Sequence, residues 1–135
     1  MEAKIAHLEL IQAVITRMAS NSFLLKGWSV ALVAALFALA ADKSEVLFVY
    51  LAYFPAIALW ILDGYFLRQE RLFQKLYDHV RALERSSIDF SMNTSPFASE
   101  VDPWSAVCFS KTLLVFHGTI IGSIVIGMLV AILAK

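Results

Sequence analysis

Among the ionisable residues within or at the edges of this 135-residue chain's apolar stretches, Lys26, Asp63 and His117 stand out as a set. A charge in hydrocarbon is costly, so such residues pair, face water, or handle ions and protons. Lys26 and Asp63 carry opposite charges and are the simplest pairing, with the lysine stem able to reach toward the headgroups. Histidine is the side-chain type whose charge changes near neutral pH. The trio therefore has the chemistry of a structural ion pair or of a pore mouth, proton sensor or gate, and all three residues are expected near one leaflet.

The last apolar run carries a second pattern. Thr119, Ser123, Gly127 and Ala131 recur every fourth residue, and Gly118 with Gly122 forms a GxxxG pair beside them. Small side chains let helix backbones approach closely, the main source of attraction between helices in lipid. The stripe suits packing within the chain or contact with a second copy; self-association is the expectation. A third pattern is basic. Arg68, Arg71, Lys75 and His79 fall within an arc of about 80° on a helix. That face is either simply solvated or an anion site for lipid headgroups or a nucleotide or oligonucleotide ligand, although Glu70, Asp78 and Glu84 dilute it.

No catalytic pattern accompanies these residues. The chain has no glycine-rich phosphate loop, HExxH, GxSxG or CxxC. His7, His79 and His117 lie on separate segments, and the single cysteine, Cys108, excludes an intrachain disulfide. No enzyme activity, metal or cofactor is expected. Eleven basic and eleven acidic residues cancel, so bulk charge points to no duplex nucleic acid as partner.

The elements that must position these residues follow from composition. Apolar types make up 60% of the chain, against roughly 45–50% in ordinary globular domains. So small a soluble domain could not bury that much apolar surface. Uncharged runs cover 27–41, 46–62 and 112–134, and a span needs about 20 residues. Lipid leaves helices as the form such runs take. The expected fold is an all-α integral membrane protein of one domain with three spans, at 24–41, 46–67 and within 103–135. An Ala38-Leu39-Ala40 sequence resembles a signal-peptidase site, but the long acidic-containing stretch before it argues for a retained span.

Lys4, Arg17, Lys26, Arg68, Arg71, Lys75, Arg81, Arg85 and Lys111 fall on one side of these spans and only Lys43 and Lys135 on the other. The positive-inside bias then puts the N-terminus and the middle segment in the cytoplasm and the C-terminus outside. Residues 3–22 read as an amphipathic helix on Leu8, Ile11, Ile15 and Met18. Span two has no stop signal, so helix continues over 68–85, with Phe73, Leu76, Val80 and Leu83 at coiled-coil spacing. The two helices are expected to pair as an antiparallel cytoplasmic hairpin. Residues 86–102 read as a linker, after which Asp102 as N-cap and Pro103 at the first helical position restart helix. Pro55 is expected to kink span two.

The order of Ile5–Met18, Gly27–Ala41, Val46–Leu67 and Arg68–Arg85 resembles the layout of SLATT-type pore-forming effectors of bacterial conflict systems, over roughly the first two-thirds of the chain. The third span, Thr112–Ala134, lies outside that two-span pattern. The resemblance implies homo-oligomerisation and membrane disruption in phage defence, under a companion protein or nucleotide signal. The expected function is therefore a homo-oligomeric membrane effector that forms or gates an ion-conducting path. Alternatives are a membrane anchor whose hairpin docks a soluble cytoplasmic partner through residues such as Phe73 and Val80, and a holin-like lysis protein. The lipid bilayer and further copies of the chain are the first expected partners.

Overall fold

The computed structural model describes residues 2–134; Met1 and Lys135, the latter counted above on the outer side, lie outside the described residues. Five α-helices carry the fold: α1 Glu2–Lys43, α2 Leu47–Leu51, α3 Tyr53–Ala82, α4 Trp104–Cys108 and α5 Lys111–Leu133. No strand occurs among the described residues. Among the described residues, three helical stretches are long and apolar enough to cross a membrane: Glu2–Lys43, Leu47–Ala82 and Lys111–Leu133.

The first helix joins two segments that the sequence presents side by side. The amphipathic segment and first span are one continuous helix of 42 residues, about 63 Å long. The polar Ser20-Asn21-Ser22 stretch where the two meet contains neither proline nor glycine, and nothing in it forces the chain out of helix. One buried stripe crosses the join and runs along α1 from His7 to Val33, through Ile11, Ile15, Ser22, Leu25 and Ser29. These positions keep the three-to-four spacing of a single helix face.

The α1–α2 turn is tight. Ser44 adopts φ 52°, and the Glu45 N–H donates to the Ala40 carbonyl at 3.2 Å. This is the bond that closes a helix through a left-handed residue. The second span is interrupted at Ala52, between α2 and α3. Pro55 explains the break: it has no N–H to give the Leu51 carbonyl and its ring crowds that group. From there α3 runs without interruption to Ala82, three residues short of the expected end, where Leu83 turns extended.

α1 and α3 lie antiparallel and form two apolar cores. Toward the α1–α2 turn, Val33, Val49, Ala52, Ala56 and Ile124 pack with Phe37, Tyr53 and Ile120 around them. Toward the basic end, Ile11, Ile15, Leu76 and Val80 form a second core, flanked by Leu8, Phe73, Tyr77 and Phe97. This is the helical hairpin read from sequence, except that Leu83 lies outside the core; Leu72, in neither core, is buried as well, at 4% exposure. The Lys4 ammonium donates to the Arg81 carbonyl at 3.0 Å and the Leu83 carbonyl at 2.8 Å. It thereby satisfies acceptors at the end of α3 that the helix leaves unpaired.

The segment after α3 is ordered by local bonds. Asp89, Ser91 and Asn93 side chains accept in turn from the backbone N–H of Ser91, Asn93 and Ser95. Two short 3-10 turns, Arg85–Ser87 and Ser95–Glu100, frame it. The restart of helix differs from expectation. Pro103, in extended backbone, is itself the N-cap residue and Asp102 caps nothing with its side chain. The Asp102 carbonyl is committed to Arg68 Nε at 3.1 Å, which holds that residue outside the helix.

Candidate functional site

Between the two apolar cores lies a buried polar cluster drawn from three helices. α1 supplies Ser22 and Lys26, one turn apart on the same face. α3 supplies Asp63, which is 0% exposed, and α5 supplies His117, also 0% exposed. Lys26 Nζ lies 2.7 Å from Asp63 Oδ2, and His117 Nε2 lies 2.7 Å from the same oxygen. The Ser22 hydroxyl donates to Asp63 Oδ1 and accepts from Lys26 Nζ at 2.8 Å. The structure thus brings together Lys26, Asp63 and His117, and adds Ser22, which the sequence reading missed. Its only advance signal is the four-residue spacing from Lys26.

Each carboxylate oxygen is occupied. Charge-assisted bonds of this kind are roughly twice as strong as neutral ones. The tautomer that donates from Nε2 satisfies Asp63 and leaves His117 Nδ1 as an acceptor; that atom is buried with no partner. Aromatic rings close the cluster. The Trp60 indole stacks on the His117 imidazole, with centroids 5.7 Å apart and planes 7° from parallel. Lys26 Nζ lies 5.9 Å from the centroid of the Phe116 ring, within cation–π range.

Trp60 is fixed in turn from α4, because its Nε1 donates to the Cys108 carbonyl at 2.7 Å. Trp104 Nε1 donates to the Ile61 carbonyl at 3.0 Å. α4 crosses α3 at Gly64, where a Cβ would collide with Cys108 Sγ and come 3.3 Å from Trp104 Nε1. The glycine is needed for this close approach. Burial pushes the Cys108 thiol up from its ordinary range, and the nearby Asp63 charge adds to the effect, so it is a poor nucleophile.

The other candidate residues are dispersed. Gly127 faces Phe37 within the chain, with 3.2 Å from a would-be Cβ to the ring, whereas Gly118 and Gly122 meet nothing within 4 Å. The Thr119 and Ser123 hydroxyls donate to the carbonyls one turn back, Val115 and Thr119, so neither is held by another helix. Ala131 borders a gap with Phe37, Ala40 and Val49 at the end of the bundle. The basic arc is also divided. Arg68 bonds the Asp102 carbonyl. Arg71 and Lys75 line a cleft of about 320 Å³ together with Asp78, Glu100 and Asp102, so carboxylates from the chain itself stand beside them. His79 packs on Phe97, centroids 5.3 Å apart. Val80 is 3% exposed and belongs to the hairpin core, which removes it from any docking surface.

No group of three or more His, Cys, Asp or Glu side chains placed to hold a metal occurs among the described residues. No family model, no curated protein and no solved structure matches this chain.

Proposed function

We propose that the chain is a membrane effector that assembles from several copies and gates an ion-conducting path, with its N-terminus and basic end in the cytoplasm. The observation that carries this reading is the fully buried Asp63, bonded to residues of two other helices in the middle of the bundle. Ionisable groups at such positions are costly to insert and mark ion or proton pathways. A structural ion pair would need only Lys26 and Asp63. The third helix adds His117 to an oxygen that already has a cation, and so ties the position of α5 to that of α1 and α3 through one carboxylate.

Three helices that pack side by side leave no water-filled bore between them, so conduction requires further copies. The exposed side of α5 at Gly118 and Gly122 is open to a neighbour. In this reading the bonded cluster is the closed arrangement, and its rupture frees α5 to move.

Reconstitution in planar bilayers tests the proposal. Single-channel currents that change when Asp63→Asn loosens the cluster are the expected result. Wild-type protein that inserts yet passes no ions with any partner or signal overturns it. One observation favours the adaptor reading instead: Ile5 and Leu10 on the hairpin are 47% and 61% exposed, beyond the predicted span. Charges at these two sites would abolish partner recruitment and leave insertion intact if the hairpin is a docking module.

A further inference from the structure

An apolar groove of about 490 Å³ lies where α4 crosses α3, lined by Ile57, Trp60, Ile61, Trp104, Cys108 and Phe109, with Ser105 as its one hydroxyl-bearing residue. It opens outward from the bundle: Ile57, Ile61, Trp104 and Phe109 are 45–65% exposed. Its two tryptophans offer no hydrogen bond to an occupant, because both indole N–H groups already donate to backbone carbonyls, Trp60 to Cys108 and Trp104 to Ile61. With Ser105 the one remaining side-chain hydroxyl on the lining, the walls favour hydrocarbon.

The groove also has a polar boundary at a definite depth. Ile57, Ile61 and Arg68 repeat at four- and seven-residue steps and share one face of α3. Arg68 stands eleven residues beyond Ile57, about 16 Å along the axis, close to half of the roughly 30 Å hydrocarbon core. A chain lying against Ile57 and Ile61 would thus bring its headgroup level with Arg68. The guanidinium uses Nε on the Asp102 carbonyl and forms no ion pair among the described residues. Its terminal nitrogens suit a phosphate, which arginine binds in bidentate fashion.

We propose that this groove is a binding site for one anionic phospholipid of the inner leaflet, its acyl chain along Ile57, Ile61 and Trp104 and its phosphate on Arg68. The site would tie lipid to the cluster, since one face of Trp60 covers His117 while the ring also lines the groove. The inference rests on the membrane-embedded reading and is independent of conduction.

Tryptophan quenching by lipid tests it. The full chain carrying Trp28→Phe retains only the two groove indoles as tryptophans. It is reconstituted into phosphatidylcholine vesicles containing a minor share of lipid brominated on its acyl chains, either phosphatidylglycerol or phosphatidylcholine. Brominated phosphatidylglycerol should be preferred roughly fivefold, the advantage one arginine gives at an anionic lipid surface. Arg68→Gln should abolish the preference and Arg68→Lys should keep most of it.

Equal quenching by the two lipids, or a preference that survives Arg68→Gln, overturns the proposal. So does quenching weaker than that of Trp28, which is 59% exposed and is read as the difference between the wild-type and Trp28→Phe chains, because it would mean that protein, such as a second copy, fills the groove. Flotation of the same samples checks insertion separately: protein that does not float with vesicles refutes the membrane reading rather than the site.

Discussion

The Trp60 indole lies parallel to the His117 imidazole at 5.7 Å, and its N–H is spent on the Cys108 carbonyl 2.7 Å away. One side chain thereby fixes α5 through its ring and α4 through its nitrogen. Trp60→Phe keeps an aromatic face for His117 and removes the donor. It should cost about 1 kcal/mol, the ordinary net value of one hydrogen bond, and loosen α4. The check is the labelling rate of Cys108, the chain's one thiol: maleimide should react faster in the variant than in wild type. An unchanged rate would mean that the hydrogen bond does not hold α4 in place.

The α3–α4 crossing gives a second prediction. Gly64→Ala drives a methyl group into Cys108 Sγ, and overpacking of this kind costs about 1–3 kcal/mol. Cys108→Ala removes the obstructing sulfur. The double variant should therefore melt nearer to wild type than Gly64→Ala alone, with a coupling of about 0.5 kcal/mol or more, as contacting residues show. Strictly additive effects would mean that the thiol is not what excludes a side chain at position 64.

How far the sequence foretold this arrangement depended on the kind of signal. Lys26, Asp63 and His117 stand out because charge is rare in apolar runs, and three helices of span length followed from composition. Ser22 was hidden, since a serine ahead of a span is unremarkable until a carboxylate from another helix meets it. Trp60 and Gly64 were equally hidden, because their roles depend on α4 folding back across α3, a tertiary event with no local pattern. The unbroken passage from the amphipathic segment into the first span has a local cause: Ser20, Asn21 and Ser22 include neither proline nor glycine and leave the helical bonds intact. Asp102 has ideal capping chemistry, yet Arg68 engages its carbonyl and the helix starts later.

The glycines of α5 separate packing within the chain from contact between chains. Gly127→Leu meets the Phe37 ring and should destabilise the single chain by about 1–3 kcal/mol. Gly118→Leu and Gly122→Leu enter open space and should leave the melting temperature of the monomer unchanged. If copies associate along that open side, these two variants lower the assembly mass in mild detergent and Gly127→Leu is the uninformative one. A monomer destabilised by Gly122→Leu would contradict the packing described above.

Lys4 joins the first turns of the chain to the end of α3 through the Arg81 and Leu83 carbonyls. Lys4→Met keeps the length of the stem and removes the donor. The expected loss is about 1 kcal/mol, given the partial exposure of the site, and it should be local. Hydrogen exchange should speed up for amides near residues 80–83 and remain unchanged around Val33 and Ile124. Uniform acceleration across the chain would show that the two cores are not energetically separable.

The buried cluster itself permits the sharpest separation of stability from function. Removing Asp63 alone leaves the Lys26 ammonium without its carboxylate, and breaking a buried pair in this way costs about 3–5 kcal/mol. Replacing the three ionisable members together, as Lys26→Met, Asp63→Leu and His117→Phe, removes the desolvation cost along with the attraction, and the Ser22 hydroxyl is left to bond the backbone carbonyl one turn back, as helical serines do. Such exchanges are often neutral or stabilising. The triple variant should thus melt at or above the wild-type temperature while Asp63→Leu alone melts well below it. A cluster kept only for packing would leave every membrane activity of the stable triple variant intact. A cluster that gates would be revealed by a triple variant that folds, inserts and assembles as wild type does, yet no longer opens or no longer closes.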